Sequence, residues 1–178
     1  MIRYAFGLCV VLAACTSGGG GGGGNGGGGG GGGSGCVSCN PWQTCVGSTC
    51  VLSGSSQWDL IADVGVVSQK NSLGNAWDAL GGLPDPKFCV TYNGARACTP
   101  ARQDTLTPVW GTKLLSRVGA GGLMGGFAVE YIDEDLSSDD PICGGNVTID
   151  AAAFSAGVVN FHCSNTASGF DFILTYAP

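Results

Sequence analysis

A long run of glycine limits where folded structure can begin in this chain. Residues 18–35 are all glycine except Asn25 and Ser34. Such a run has almost no side chains to bury, and ordering its backbone would cost on the order of 1–2 kcal/mol per residue. We therefore predict a flexible tether with a reach of roughly 25 Å. The part of the chain that follows it has roughly 140 residues, the size of one ordinary domain.

The residues before the tether have the pattern of an export signal. Arg3 precedes an apolar segment, residues 4–12, which is too short to cross a bilayer. Residues 12–15, Leu-Ala-Ala-Cys, resemble the lipobox of bacterial lipoproteins. The resemblance implies a signal peptide over residues 1–14, cleavage before Cys15 and lipidation of Cys15. The alternative is an ordinary secretory leader with a chance cysteine.

Lipidation would anchor the chain to a membrane of the bacterial cell envelope. Several acyl chains on one residue give stable anchoring, and residues 15–35 would then form the lipidated linker. Thr16 follows the cysteine, so the aspartate that resembles an inner-membrane retention signal is absent. We therefore expect display on the outer membrane or the cell surface.

The chain contains ten cysteines, which is many for 178 residues and indicates an oxidising compartment. Four of them lie in residues 36–52 with the spacing Cys-x2-Cys-x5-Cys-x4-Cys. This spacing fits a zinc knuckle or two disulfides, and the export signal favours disulfides. Three pairings remain open. We interpret this segment as a small disulfide-bonded knob that acts as a stiff spacer, with a ligand-binding module as the alternative.

From Trp58 onward the sequence consists of short apolar strands separated by turns. Eight strands at this spacing predict an antiparallel β-sandwich over residues 56–178. The predicted strands are 58–67, 87–92, 95–101, 108–116, 126–133, 145–149, 157–163 and 170–176.

One hairpin of this domain can be predicted in detail from its turn. Asn93-Gly94 is the strongest short signal for a two-residue hairpin turn. Folding about this turn places Cys89 opposite Cys98 at a non-hydrogen-bonded position, where Cα atoms approach most closely. That separation suits a disulfide, so we predict Cys89–Cys98. By elimination, the two cysteines that remain form the pair Cys143–Cys163.

A crowded acidic segment follows the predicted strand 126–133. Residues 132–140 hold five of the thirteen carboxylates of the chain. A folded protein tolerates such a cluster when the loop is fully solvated or when a cation binds in it. Because Ca²⁺ takes several oxygen ligands from carboxylates and carbonyls, we predict a calcium site. The alternative is a solvated acidic rim that binds nothing.

Three motifs, in the order in which they occur, resemble those of C2 domains. Residues 78–88, Asp-Ala-Leu-Gly-Gly-Leu-Pro-Asp-Pro-Lys-Phe, are similar to the first calcium loop of that family. Residues 104–110 resemble the segment that opens the next strand, and residues 131–142 resemble the third loop. The resemblance covers about residues 58–178 and implies an eight-stranded antiparallel C2-like β-sandwich. The calcium ligands that it implies are Asp78, Asp85, Asp133, Asp135 and Asp140.

The resemblance also implies a function for the calcium ion. In C2 domains the ion bridges the protein to anionic phospholipid, so we expect a lipid-anchored, exported module that binds Ca²⁺ and a membrane surface. Trp77, next to Asp78, is the aromatic side chain that we expect to touch a membrane. The alternative is a calcium-free or calcium-stiffened adhesion or scaffold module that binds protein or glycan.

Nucleic-acid binding and catalysis are not expected of this chain. Its formal charge is −6 with only seven basic residues, so it lacks the basic footprint that nucleic acid requires. The single histidine, His162, lies in a strand pattern, where a structural role is the usual one. The sequence has no Gly-x-Ser-x-Gly or His-Glu-x-x-His motif. We therefore predict that the protein is not an enzyme.

Overall fold

The computed structural model describes residues 35–36, 38–78, 81–135, 139–164 and 166–178. The predicted signal peptide, the predicted lipidation site Cys15 and the predicted glycine tether as far as residue 34 lie outside the described residues. Within the described part of the chain, no helix is long and apolar enough to cross a membrane.

The described residues form ten strands and two short helices. The strands are β1 (Gln43–Val46), β2 (Thr49–Leu52), β3 (Gln57–Val66), β4 (Pro86–Tyr92), β5 (Ala95–Cys98), β6 (Val109–Gly119), β7 (Phe127–Asp133), β8 (Asp140–Val147), β9 (Val158–His162) and β10 (Gly169–Tyr176). The helices are α1 (Ala120–Gly125) and α2 (Ala151–Ala156), and they are not among the predicted elements.

Strands β3 to β10 form two four-stranded antiparallel sheets that pack face to face. One sheet has the order β6-β3-β10-β9 and the other has the order β5-β4-β7-β8. Phe88 of β4 packs against Phe170 and Phe172 of β10, with ring centroids 4.0 and 5.0 Å apart. In β7, alternate residues enter this core, as the period of two in the sequence requires. The predicted eight-stranded antiparallel β-sandwich is therefore confirmed.

Strand β8 lies earlier in the chain than predicted. The predicted strand was 145–149, whereas β8 runs from Asp140 to Val147. It contains a proline and two glycines, residue types that are depleted in strands. Gly144 is required there, because a Cβ atom at this position would lie 2.7 Å from the carbonyl oxygen of Val129 on the neighbouring strand. The composition of this segment therefore does not predict the first part of β8, although the backbone forms a strand there.

Disulfides close the knob and fasten the sandwich. In the knob, Cys36 pairs with Cys45 and Cys39 pairs with Cys50, which selects one of the three pairings left open by the sequence. In the sandwich, the disulfides are the two that the sequence predicts, Cys89–Cys98 and Cys143–Cys163. The first joins neighbouring strands β4 and β5, whereas the second joins β8 of one sheet to the residue after β9 of the other.

The knob packs against the sandwich and is not a separate spacer. Trp42, at the start of the β1–β2 hairpin, lies 5.7 Å from Trp58 and 5.6 Å from Tyr176 between ring centroids. Phe154 of α2 contacts the same tryptophan, Trp58, at 5.0 Å. Aromatic contacts of this kind stabilise by about 0.5–1.5 kcal/mol each beyond the area they bury. They attach the hairpin to the end of the sandwich where β3 begins.

Candidate metal centre

The two acidic loops meet at one end of the sandwich because of how their flanking strands pair. The first loop leads into β4, and the second joins β7 to β8. Pro86 at the start of β4 lies opposite Asp133 at the end of β7, and Asp133 lies opposite Asp140 at the start of β8. Because β4 and β8 both pair with β7, this register brings the two acidic loops together at the end of β7. Residues 79–80 and 136–138 of these loops lie outside the described residues.

Asp133 is buried because it continues the inward face of β7. Phe127, Val129 and Tyr131 point into the core, and Asp133 follows them at the same period of two. Its side chain is 0% exposed. Its Oδ1 atom accepts a hydrogen bond from the backbone N–H of Asp85 at 2.5 Å. Its Oδ2 atom has no hydrogen-bond partner among the residues that the structure describes.

A buried carboxylate oxygen without a hydrogen-bond partner is unfavourable. The nearby carboxylates of Asp78 and Asp135 raise its energy further by repulsion. One carboxylate oxygen from each of Asp78, Asp133 and Asp135 lies within 4.8 Å of the other two. Calcium binds oxygen at 2.3–2.6 Å, so two of its ligands can stand up to about 5 Å apart. The spacing of the three carboxylates therefore permits all of them to contact one ion. We call these three residues the acidic triad.

The electrostatics of the acidic triad favour a bound cation. Burial raises the pKa of Asp133 to about 6, and the negative charges of Asp135, Asp78 and Asp85 add to that rise against the hydrogen bond from the Asp85 N–H. Burial also raises the pKa of Asp135, followed by the charges of Asp78 and Asp140. Without a cation, these carboxylates repel one another, and a divalent ion would remove that repulsion.

Asp85 holds the two loops together. Its backbone N–H donates to Asp133, and its carbonyl oxygen accepts a hydrogen bond from the N–H of Glu134 at 3.0 Å. Its Oδ1 atom accepts from the N–H of Asp104 at 2.7 Å, in the segment that opens β6. Its charge acts on both Asp133 and Asp135. Asp85 therefore belongs to the site by charge and organises it by its backbone.

The structure brings all five predicted ligands to this end of the sandwich, three of them as the acidic triad. Asp140 pairs with Asp133 across β7 and β8, and its charge acts on Asp135. Glu134, between two of the triad residues, forms an ion pair with Lys87 instead. Asp133 and Asp135 of this segment thus belong to the acidic triad, whereas Glu134 between them pairs with a lysine.

Two features of the site were not predicted from the sequence, and one prediction was wrong. Gly82 leaves room for the side chain of Asp78, since a Cβ atom there would lie 2.5 Å from Oδ2 of Asp78 and would displace that carboxylate. The Gly81-Gly82 pair could have signalled this. Lys87 provides the ion pair to Glu134. Trp77 does not face a membrane: it is only 5% exposed, and its Nε1–H donates to the carbonyl of Ser68 at 2.8 Å.

Comparisons with known proteins bear on the fold. No protein-family model matches the sequence, and no curated protein sequence matches it. Among solved structures, the chain is similar to a C2 domain of plant Extended Synaptotagmin 1, with a TM-score of 0.51 at 12% identity over 71% of this chain and 97% of that one.

Two further similar structures each contain a pair of C2 domains. They are the paired domains of Extended-Synaptotagmin 2, with a TM-score of 0.48 at 14% identity over 70% of this chain, and their calcium-bound form, with a TM-score of 0.49 at 13% identity over 70% of this chain. This chain spans less than half the length of each, 42% and 46%. The two four-stranded antiparallel sheets and the likeness to the plant domain show that the sandwich over residues 56–178 has a C2-like fold.

Proposed function

We propose that this domain binds Ca²⁺ through the acidic triad and uses the bound ion to hold anionic phospholipid. The observation that carries the proposal is the buried Oδ2 atom of Asp133, which lacks a partner in the described structure and lies in a group of three converging carboxylates. A divalent cation would supply that partner and neutralise the charge. Asp85 and Asp140 would lie at the rim of the same site.

The donor set fits calcium better than the other common divalent ions. It consists of carboxylate oxygens on two loops, with no histidine, and backbone carbonyls can complete a shell of 6–8 oxygens. Magnesium requires a tighter octahedron and keeps several waters, whereas zinc prefers nitrogen and sulfur ligands. The four knob cysteines cannot offer thiolates, because all of them are in disulfides.

Charge supports a calcium-dependent contact with lipid. An acidic tip repels an anionic bilayer unless a cation lies between them. Among the described residues of the connection from β3 to β4, which carries Asp78 and Asp85, two leucines are exposed: Leu73 is 82% exposed and Leu83 is 41% exposed. Exposed apolar side chains in the same connection as the ligands of the ion suit a surface with charged headgroups above acyl chains. We therefore infer that the bound ion and these leucines contact the membrane together.

Calcium should stabilise the protein that lacks its signal peptide. At a Ca²⁺ concentration of about 100 times Kd, the free energy of unfolding should rise by about 2.7 kcal/mol, because the ion binds only the folded state. Isothermal titration calorimetry and the melting temperature measure this effect. The Asp63→Asn variant, which removes one negative charge outside the site, should respond like the wild type. A titration without heat, at an unchanged melting temperature, would refute the calcium site.

Lipid binding should depend on both calcium and anionic headgroups. We expect the protein to sediment with vesicles of phosphatidylserine and phosphatidylcholine in calcium, and to stay in solution with a chelator or with phosphatidylcholine alone. Calcium binding without any sedimentation would contradict the lipid proposal. That result would favour the alternative function, a calcium-stiffened adhesion or scaffold module that binds protein or glycan.

The membrane anchor requires its own test, because it rests on the lipobox-like residues 12–15. When the whole chain is expressed in a bacterium that processes lipoproteins, we expect it in the detergent phase after phase separation. The Cys15→Ser variant should move to the aqueous phase, since it lacks the sulfur that carries lipid. Equal partitioning of the two proteins would rule out the anchor while leaving the calcium site untouched.

A further inference from the structure

A second recess of the molecule lies far from the acidic triad. It is a polar groove of about 520 Å³ between the knob and the sandwich, with Gln43 and Thr44 on one side and Gln57 and Arg117 on the other. Gln57 begins β3. The far end of β3 adjoins the acidic loops, because the N–H of Val67 donates to Leu106, in the segment that also contacts Asp85 through Asp104. We call this recess the knob groove.

A β-bulge directs Arg117 into the knob groove. Trp58 of β3 lies opposite Val118 of β6, but Leu60 lies opposite Leu115, so β6 has one extra residue here. Asp59 fills the gap: its Oδ1 atom accepts hydrogen bonds from the N–H of Arg117 at 2.9 Å and from the hydroxyl of Ser116 at 3.2 Å. Bulges change the direction in which a side chain points and are common beside functional sites.

The backbone of Arg117 is strained, which a merely solvated arginine would not require. Its φ angle is +52°, in the left-handed region that side chains other than glycine rarely adopt. Such a conformation costs on the order of 1–3 kcal/mol and persists where the surrounding structure imposes it. Here the nearly buried carboxylate of Asp59, 8% exposed, imposes it. Asp59, which also forms an ion pair with Lys113, thus holds the backbone of Arg117 in this conformation.

The guanidinium of Arg117 is oriented but not neutralised. Its Nε–H donates to Oε1 of Gln57 at 2.9 Å, which fixes the plane of the fork. In the described part of the chain, no salt bridge reaches Arg117, although Arg96, Lys87 and Lys113 each have one. The two terminal nitrogens thus stay available for a carboxylate or a phosphate group, which such a fork binds with two parallel hydrogen bonds.

The rest of the described lining matches a ligand that carries many hydroxyl groups. The side chains of Gln43, Thr44, Ser55 and Tyr176 bring amide and hydroxyl groups to the knob groove. That lining contains no aspartate or glutamate, although the chain has thirteen acidic residues and a formal charge of −6. Arg117 is therefore the only charged side chain in the lining of this hydrogen-bonding groove, on a protein that is otherwise acidic. Its volume falls in the range of about 300–1,000 Å³ that is usual for small-ligand sites.

We propose that the knob groove binds an acidic saccharide. The carboxylate or phosphate of the sugar is held by the Arg117 fork, and its hydroxyls are held by the amides of Gln43 and Gln57 and by the neighbouring hydroxyl groups. The knob thereby gains a role, because it supplies one wall of the site. This binding does not depend on the proposed calcium function, since the groove adjoins the start of β3 and the acidic triad adjoins the end of β7.

The test uses the protein without its signal peptide, in a calcium chelator, followed by ¹H–¹⁵N NMR. The probes are digalacturonate for a carboxylate, glucose 6-phosphate for a phosphate, neutral galactobiose as the matched sugar, and inorganic phosphate. We expect one or both acidic sugars to shift the side-chain amide signals of Gln43 and Gln57 and the Nε signal of Arg117. The neutral sugar and inorganic phosphate should bind at least about tenfold more weakly, since each lacks half of the contacts.

Variants separate the groove from a general charge effect. Arg117→Gln should weaken binding of the acidic sugar at least about tenfold, whereas Arg102→Gln, the same change of charge elsewhere on the surface, should leave it unchanged. The hydrogen bond from the backbone N–H to Asp59 survives in Arg117→Gln, so its melting temperature should stay near that of the wild type. Equal binding by Arg117→Gln, equal binding of inorganic phosphate, or no shift with either acidic sugar would each overturn the proposal. The NMR shifts of Gln43, Gln57 and Arg117 in the wild type test the binding site even if a variant fails to fold.

Discussion

Replacing Asp133 by asparagine should stabilise the calcium-free protein and abolish its stabilisation by calcium. Burial raises the pKa of Asp133 to about 6 from 3.8, so the ionised side chain opposes folding at neutral pH. One pKa unit corresponds to about 1.4 kcal/mol, which gives an expected gain of about 1–3 kcal/mol for the variant. Asparagine keeps the Oδ1 acceptor that receives the N–H of Asp85, and it removes the charge.

The same substitution removes the buried ligand of the acidic triad. The gain of about 2.7 kcal/mol that we expect for the wild type at about 100 times Kd should therefore disappear in Asp133→Asn. Urea unfolding in calcium and in chelator measures both effects on one protein, and Asp63→Asn serves as the control. A variant that is less stable than the wild type in the chelator would contradict our view that the ionised side chain opposes folding.

The pH dependence of stability provides an independent check on Asp133. Because its pKa is higher in the folded state than in the unfolded state, the folded protein binds more protons between these two values. Its contribution to stability is therefore present at low pH and is lost as the pH rises from about 4 to about 6. Asp135, whose pKa is also raised, changes stability in the same direction. Asp133→Asn should show a smaller loss over this range, and calcium affinity in the wild type should fall below about pH 6.

Removing the Cys143–Cys163 disulfide should destabilise the domain more than removing Cys89–Cys98. The first closes a loop of 20 residues and joins β8 to the end of β9, which are edge strands of opposite sheets. Loss of a disulfide that closes a loop of this length lowers the free energy of unfolding by about 3 kcal/mol. Cys89–Cys98 closes only 9 residues within a hairpin whose strands are already paired, so its loss should cost less.

The comparison uses the double alanine variants Cys143→Ala/Cys163→Ala and Cys89→Ala/Cys98→Ala in urea unfolding. Asp140 begins β8 three positions before Cys143, so the first variant should also bind calcium more weakly, whereas the second should retain its affinity. An equal or greater loss of stability in the second variant would show that the disulfide between the sheets adds little to the hydrophobic core.

The sequence alone was sufficient for features that depend on neighbouring residues. Alternation of apolar side chains predicted seven of the strands closely, and the Asn93-Gly94 turn set the register that pairs Cys89 with Cys98. Strand β8 was misplaced, because Pro141 and Gly144 lower strand propensity, although close packing against β7 requires a glycine at position 144. The acids that would bind calcium were found as motifs, since charge and spacing are visible in a sequence.

Only the tertiary structure decided how these residues are used. Asp133 became the buried acid because it continues the inward face of β7, and its environment depends on Pro86 and Asp140 lying on either side of it. Trp77 turned inward, and Trp42 brought the knob onto the sandwich. Burial and convergence arise from contacts between segments far apart in the chain, so the local pattern of residues does not contain them.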